Sequence, residues 1–192
     1  MITLPNYNVI NYISPANVYG ILAAPPCTMF SDARTNAKIP RNLHDGMETV
    51  IACLKIIWNL NYNIQKDQQK YSPLKFWALE NPWYGRLKWF LGKPCFVFDP
   101  WEFGDGYKKR TALWGYFNNP IKSVLIIPQT EEIEKCKTNS RSLKKIDYLL
   151  MDELKQLKGV NNADYWSNKN LRQTLRAITP PGFAKAFFDV NQ

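Results

Sequence analysis

A single histidine, His44, is present among the 192 residues. A metal centre built on several imidazoles is therefore excluded, as is any catalytic scheme that needs two histidines. The four cysteines, Cys27, Cys53, Cys95 and Cys136, form no C-x-x-C pair, so neither a zinc ribbon nor a thioredoxin-type site is written into the chain. They lie far apart, unlike the crowded cysteines of a small disulfide scaffold. No apolar run approaches the roughly 20 residues that span a bilayer. The start of the chain, Met-Ile-Thr-Leu-Pro-Asn-Tyr-Asn, lacks the basic stretch and apolar core of a secretory signal. The expectation is a soluble cytoplasmic protein with no metal and no membrane partner.

What is present is ordinary for a folded domain. Hydrophobic residues make up 45%, charged residues 21%, and there are 7 Trp. That excludes a disordered chain, which would carry too little apolar surface to offset its ordering entropy. Lys and Arg number 25 against 16 Asp and Glu, a formal net charge of +9. Such an excess fits a polyanionic partner, nucleic acid first, or else serves solubility alone.

Tyr19 to Ala24 is a short apolar run stopped by Pro25-Pro26, the pattern of a buried strand ending in a forced turn. A polar loop from Ser31 to His44 carries Arg34, Lys38 and Arg41. Asp45 with Glu48 resembles a capping box, and Met47, Val50, Ile51, Leu54 and Ile57 mark one helical face. After a polar linker (Asn61 to Ser72), Lys75 to Leu79 reads as a second strand ending at Glu80-Asn81-Pro82. Gly85 to Leu91 reads as a short helix closed by Gly92. Pro94 to Phe98 and Thr111 to Phe117 read as strands on either side of a turn-rich loop, with Ser123 to Ile127 a fifth. Glu131 to Ser142 is a charged surface segment. Leu143 to Leu157 has helical periodicity, and the Thr179-Pro180-Pro181 signal opens an apolar C-terminal helix. Strands alternating with helices predict an α/β fold with a mainly parallel sheet, whose ligands sit at the carboxyl ends of the strands. The expected division is a core over residues 1–128 and a helical extension over 129–192 that packs on it.

Two polar signatures fall at such strand ends. Cys27 follows two prolines and precedes a loop of basic residues. It is either a presented thiol, whose pKa nearby cations would lower, or a small buried hydrophobe. Cys53 on a helix and Cys95 in a strand read as packing residues. Glu80 follows Phe-Trp-Ala-Leu. It either faces water at the strand end or sits where desolvation would raise its pKa and make it a proton donor near neutrality. A thiol nucleophile beside a protonatable carboxyl suits addition to an electron-poor ring, with one group attacking and the other protonating a ring nitrogen.

Ala-Pro-Pro-Cys-Thr-Met-Phe-Ser (24–31) resembles the Pro-Cys nucleophile motif of DNA cytosine carbon-5 methyltransferases, and Glu80-Asn81 resembles that family's Glu-Asn motif. Lys108-Lys109-Arg110-Thr111-Ala112-Leu113-Trp114 is similar to the later basic motif that opens a strand beside the active site. Arg176-Ala177-Ile178-Thr179-Pro180 faintly resembles the family's Arg-x-Leu-Thr segment. The likeness is nearest to short phage-type methylases and covers roughly residues 19–120. It implies a Rossmann-like methyltransferase sheet with helices on both faces, double-stranded DNA as partner, and S-adenosylmethionine as methyl donor. The setting it implies is the cytoplasm of a bacterial or phage-infected cell. Cys27 would add to carbon 6 of a flipped cytosine, Glu80 would protonate or hydrogen-bond ring nitrogen 3, and Arg110 would hold the base oxygen. Pro26 would line the donor pocket. Ser31, Arg34 and Arg41 would contact the DNA backbone, and Asn81 would support Glu80 or end its strand.

The chain also departs from that family. The family's Phe-x-Gly-x-Gly turn precedes its cysteine by tens of residues. Here 26 residues precede Cys27, with one glycine, Gly20, and no acidic residue to grip a ribose. Gly104-Asp105-Gly106 lies elsewhere and leads into no predicted helix. The expectation is a partial sheet without the N-terminal strands, holding the base chemistry while a second chain supplies the donor-binding segment. The alternative is a catalytically inactive relative that serves as a DNA-binding or accessory subunit.

Overall fold

The computed structural model describes residues 9–15, 17–32, 37–62, 74–105, 107–126 and 179–192. They are α/β, with four strands in one mixed sheet of order β1-β2-β4-β3. The strands are β1 (Gly20–Ala23), β2 (Phe76–Pro82), β3 (Phe96–Phe98) and β4 (Thr111–Tyr116). The helices are α1 (Leu43–Tyr62), α2 (Lys88–Leu91) and α3 (Pro181–Asn191).

β1 and β2 pair in parallel, while β2 with β4 and β3 with β4 are antiparallel. The sheet is thus not mainly parallel as the alternation predicts. A parallel pair needs a long crossover, and the 20-residue α1 supplies one between β1 and β2. Between β2 and β4 lie the four-residue α2, β3 and a short 3-10 turn, none of them a long crossover, so the chain turns back on itself.

α1 begins one turn earlier than the Asp45 signal predicts. Asn42 is the cap, its Oδ1 accepting from the Asp45 N–H at 3.2 Å. The helix then runs to Tyr62, two residues into the expected linker. Its buried stripe is Gly46, Val50, Cys53 and Ile57, so Ile51 is turned outward. Val50 and Cys53 pack with Leu79 of β2 and with Ala112 and Trp114 of β4. Register and alternation explain the choice: Leu79 opposes Trp114 and Asn81 opposes Ala112, which puts all four on the face α1 covers. Gly115 sits at φ 152°, and a Cβ there would lie 2.1 Å from the Trp77 carbonyl oxygen. Only glycine lets β4 run this close to β2.

The described residues fall into two compact units, the first within Met1–Phe98, Arg110–Asn119 and Asn191, the second within Asp99–Lys109, Pro120–Val190 and Gln192. In the second, Asp99 and Glu102 close a capping box on the 3-10 turn Pro100–Phe103. Lys122 pairs with Glu102 at 2.7 Å. The Asp105 carboxylate accepts from the Gly182 N–H at 3.1 Å, which compensates the amino end of α3. Phe103 meets Phe183 edge-to-face and Phe183 meets Phe187 at a tilt, with centroids 5.4 and 5.7 Å apart. α3 starts at the expected prolines. Ser123 to Ile126 is not a strand. The remainder of that prediction, the linker from 63, the 131–142 segment, the 143–157 helix, Arg176 to Ile178 and the 128/129 division all lie outside the described residues.

Candidate active site

β1 stops at Ala23 because prolines 25 and 26 have no N–H to continue the ladder. The chain then turns into a 3-10 turn, Cys27–Met29, whose first residue is the half-buried Cys27. The Cys27 carbonyl accepts from the N–H groups of Phe30 at 3.0 Å and Ser31 at 2.8 Å. The turn is therefore closed by its own backbone.

Several contacts fix that turn from outside. The Asn81 side-chain amide donates to the Pro25 carbonyl at 3.1 Å, although Asn81 is 0% exposed. Ser31 forms an isolated antiparallel bridge with Gly85, and the Arg86 N–H donates to the Phe30 carbonyl at 2.9 Å. The Arg41 guanidinium donates through Nη1 to the Met29 carbonyl and through Nη2 to the Ser31 carbonyl at 3.1 Å. Finally, α1 approaches so closely at Gly46 that a Cβ would lie 2.8 Å from the Met29 Cβ. Phe30, 0% exposed, anchors the turn in the core.

Glu80 is one residue before Asn81 and does not end its strand as predicted. Parallel pairing with β1 finishes at Leu79, but β4 goes on to pair Glu80, Asn81 and Pro82 with Leu113, Ala112 and Thr111. Pro82 is tolerated there because β1 no longer flanks it. Alternation turns Asn81 toward α1 and the Pro25 turn, and half-buried Glu80 to the opposite face.

Arg110 lies one step before β4, where its carbonyl accepts from the Trp83 N–H at 3.0 Å. β4 is antiparallel to β2, so its beginning lies beside the end of β2. Cys27, Glu80 and Arg110 thus come from three neighbouring strands, β1, β2 and β4, at one end of the sheet. Arg110 is exposed and three register steps from Glu80, about 10 Å along the strand.

The remaining predicted residues separate. Ser31 and Arg41 belong to the turn that holds Cys27, while Arg34 lies outside the described residues. Cys53 is buried, and burial pushes its thiol pKa up, with a backbone hydrogen bond opposing in part. Cys95 is exposed rather than packed, with Sγ 3.2 Å from the Gly115 carbonyl. The structural weight of Arg41 and Gly46 was missed from sequence; a basic residue and a glycine flanking a nucleophile loop are the only trace they leave.

Pro26 is exposed at the turn after β1. A donor such as S-adenosylmethionine is commonly cradled by backbone N–H groups at a glycine turn, and Pro25-Pro26 offers none. Among the described residues no three His, Cys, Asp or Glu side chains gather to hold a metal ion. Among them, too, no helix is long and apolar enough to cross a membrane. No family model, curated protein or solved structure matches the chain.

Proposed function

We propose that this chain carries the base chemistry of a DNA cytosine carbon-5 methyltransferase, on a Rossmann-like sheet, acting on double-stranded DNA in a bacterial or phage-infected cell. The observation that carries the reading is that Cys27, Glu80 and Arg110 are borne at the same end of three adjacent strands, with Asn81 tying the ends of the first two together.

In this reading the Cys27 thiolate adds to carbon 6 of a flipped cytosine, and a carbon–sulfur bond forms. The electron pair of the ring double bond moves to carbon 5. Glu80 donates a proton or hydrogen bond to ring nitrogen 3 and so takes up the developing charge. Arg110 holds the base oxygen. Asn81 and Arg41 touch no base; they hold the turn so that the thiol meets the ring at a fixed distance. S-adenosylmethionine, when bound, would supply the methyl group to carbon 5. Loss of the carbon-5 proton to solvent then restores the ring double bond, breaks the carbon–sulfur bond and releases the Cys27 thiolate. The methyl donor would be held in part by a donor-binding segment on a second chain. Pro26 would form one wall.

The test is transfer of labelled methyl from S-adenosylmethionine to DNA, run with a candidate donor-binding chain added. Transfer that Cys27→Ala abolishes supports the reading, and its absence in every combination overturns it.

The two prolines also favour a second reading, a non-catalytic relative that binds DNA as an accessory subunit. It predicts DNA affinity unchanged by Cys27→Ala and no heat of binding with S-adenosylmethionine.

A further inference from the structure

Directly after Pro82 the chain presents Trp83, Tyr84, Arg86, Lys88, Trp89 and Phe90. Tyr84 is 64% exposed and Trp89 66% exposed, and Phe90 is exposed as well. So many large rings in one short solvent-facing segment are a patch that calls for a partner. The segment is nonetheless anchored to the core. Leu87 is 0% exposed in the core, and Phe90 meets the buried Phe30 edge-on at 6.2 Å.

Its charges are of one sign. Residues 81–98 contain Arg86, Lys88 and Lys93 and no Asp or Glu. Two of these cations already lie on rings, the Arg86 guanidinium 5.1 Å from the Trp89 centroid and the Lys88 ammonium 4.7 Å from that of Trp83. The acid facing Arg86 is Asp32, 3.3 Å from its Nε and itself exposed. Asp32 belongs to the Cys27 turn: its N–H donates to the Tyr84 carbonyl at 3.2 Å. The aromatic patch and the nucleophile's turn are thus one connected surface.

Exposed flat rings with cations beside them are the ingredients by which proteins hold unpaired nucleotides. We propose that Tyr84, Arg86, Lys88 and Trp89 form a stacking platform for the unpaired nucleotides beside the extruded base. The bases lie on Trp89 and Tyr84, and their phosphates lie against Arg86 and Lys88. The proposal rests on the reading of the partner as DNA, but not on the chemistry of Cys27. Protein docking is the competing use of such a patch, and the absence of acids from 81–98 favours the polyanion.

The test is binding of a labelled oligothymidylate strand, which contains no cytosine, measured by anisotropy across a salt series. Trp89→Ala should weaken binding about tenfold, the loss of one stacked base. Lys88→Gln should lower the salt slope by about 0.7, the value for one phosphate contact on a single strand. Lys75→Gln, at the opposite end of β2, should change neither. Trp89→Ala binding like the wild type overturns the proposal. So does equal weakening by Lys75→Gln, or displacement of the strand by poly-glutamate at the same concentration as by unlabelled strand. Circular dichroism melting checks that Trp89→Ala stays folded, as its exposure predicts, and Lys88→Gln gives an independent reading. Platform binding without cytosine chemistry would leave this inference standing and remove the catalytic one; cytosine chemistry with an indifferent Trp89→Ala would do the reverse.

Discussion

Asn81 and Pro25 are 56 residues apart, and the buried Asn81 amide donates to the Pro25 carbonyl at 3.1 Å. That bond joins the two strand ends that bear Cys27 and Glu80. The Asn81 Oδ1 is buried as well, without a hydrogen-bond partner among the described residues. Asn81→Ala removes the tie and leaves the Pro25 carbonyl with one bond fewer. The expected cost is about 1–3 kcal/mol in urea unfolding. Activity should fall further than stability alone explains, because the thiol loses its fixed position.

Arg41 reads from sequence as a phosphate contact, and in the structure its guanidinium spans two carbonyls of the nucleophile's turn. Arg41→Lys should therefore behave like Arg41→Ala, since one ammonium cannot reproduce the fork. Both should lower turnover while leaving the salt slope of DNA binding unchanged. A slope that drops by about one would assign Arg41 to a phosphate instead.

Gly115→Ala should be among the most damaging single-atom changes. The Cβ would enter the Trp77 carbonyl at a backbone angle that side chains rarely adopt. Strain and overpacking together predict a loss of about 3 kcal/mol, read as a lowered midpoint in thermal or urea unfolding. Gly104→Ala, where a Cβ meets nothing within 4 Å, should cost less despite its φ of 90°.

Alkaline pH should destabilise the fold in two stages. Burial raises the Cys53 thiol above its ordinary 9.0, and burial with the Asp105 charge raises Tyr107 above its ordinary 10.0. Both groups hold their protons more tightly folded than unfolded. Their contributions are complete below the unfolded values and are lost as pH rises through the folded ones. Unfolding free energy should fall from about pH 9 upward and more steeply above about pH 10. Cys53→Ala should remove the first part and Tyr107→Phe the second.

Four of the five expected strands, their order along the chain and the short helix closed by Gly92 were legible because apolar runs bounded by proline and glycine leave few other options. The sheet's direction was not, since alternation of strands and helices says nothing about whether a crossover is long enough. The strand length at Glu80-Asn81-Pro82 was missed for a related reason. β4 supplies the pairing there, and β4 is about 30 residues further on. Cys27 could be read as a strand-end group from local pattern alone, and Glu80 only as lying near such an end. Asn81's tie to Pro25 and Arg41's fork could not, because each depends on which carbonyl tertiary packing brings within reach.

The decisive measurement is exchange of the hydrogen on carbon 5 of cytosine in duplex DNA with solvent deuterium, without any methyl donor. Addition of Cys27 to carbon 6 makes carbon 5 take up a solvent proton and later release one, so exchange reports the thiol and the carboxyl alone. The prediction is exchange catalysed by this chain, abolished by Cys27→Ala and slowed at least about a hundredfold by Glu80→Gln. Exchange no faster than in buffer, or exchange that survives Cys27→Ala, would contradict it.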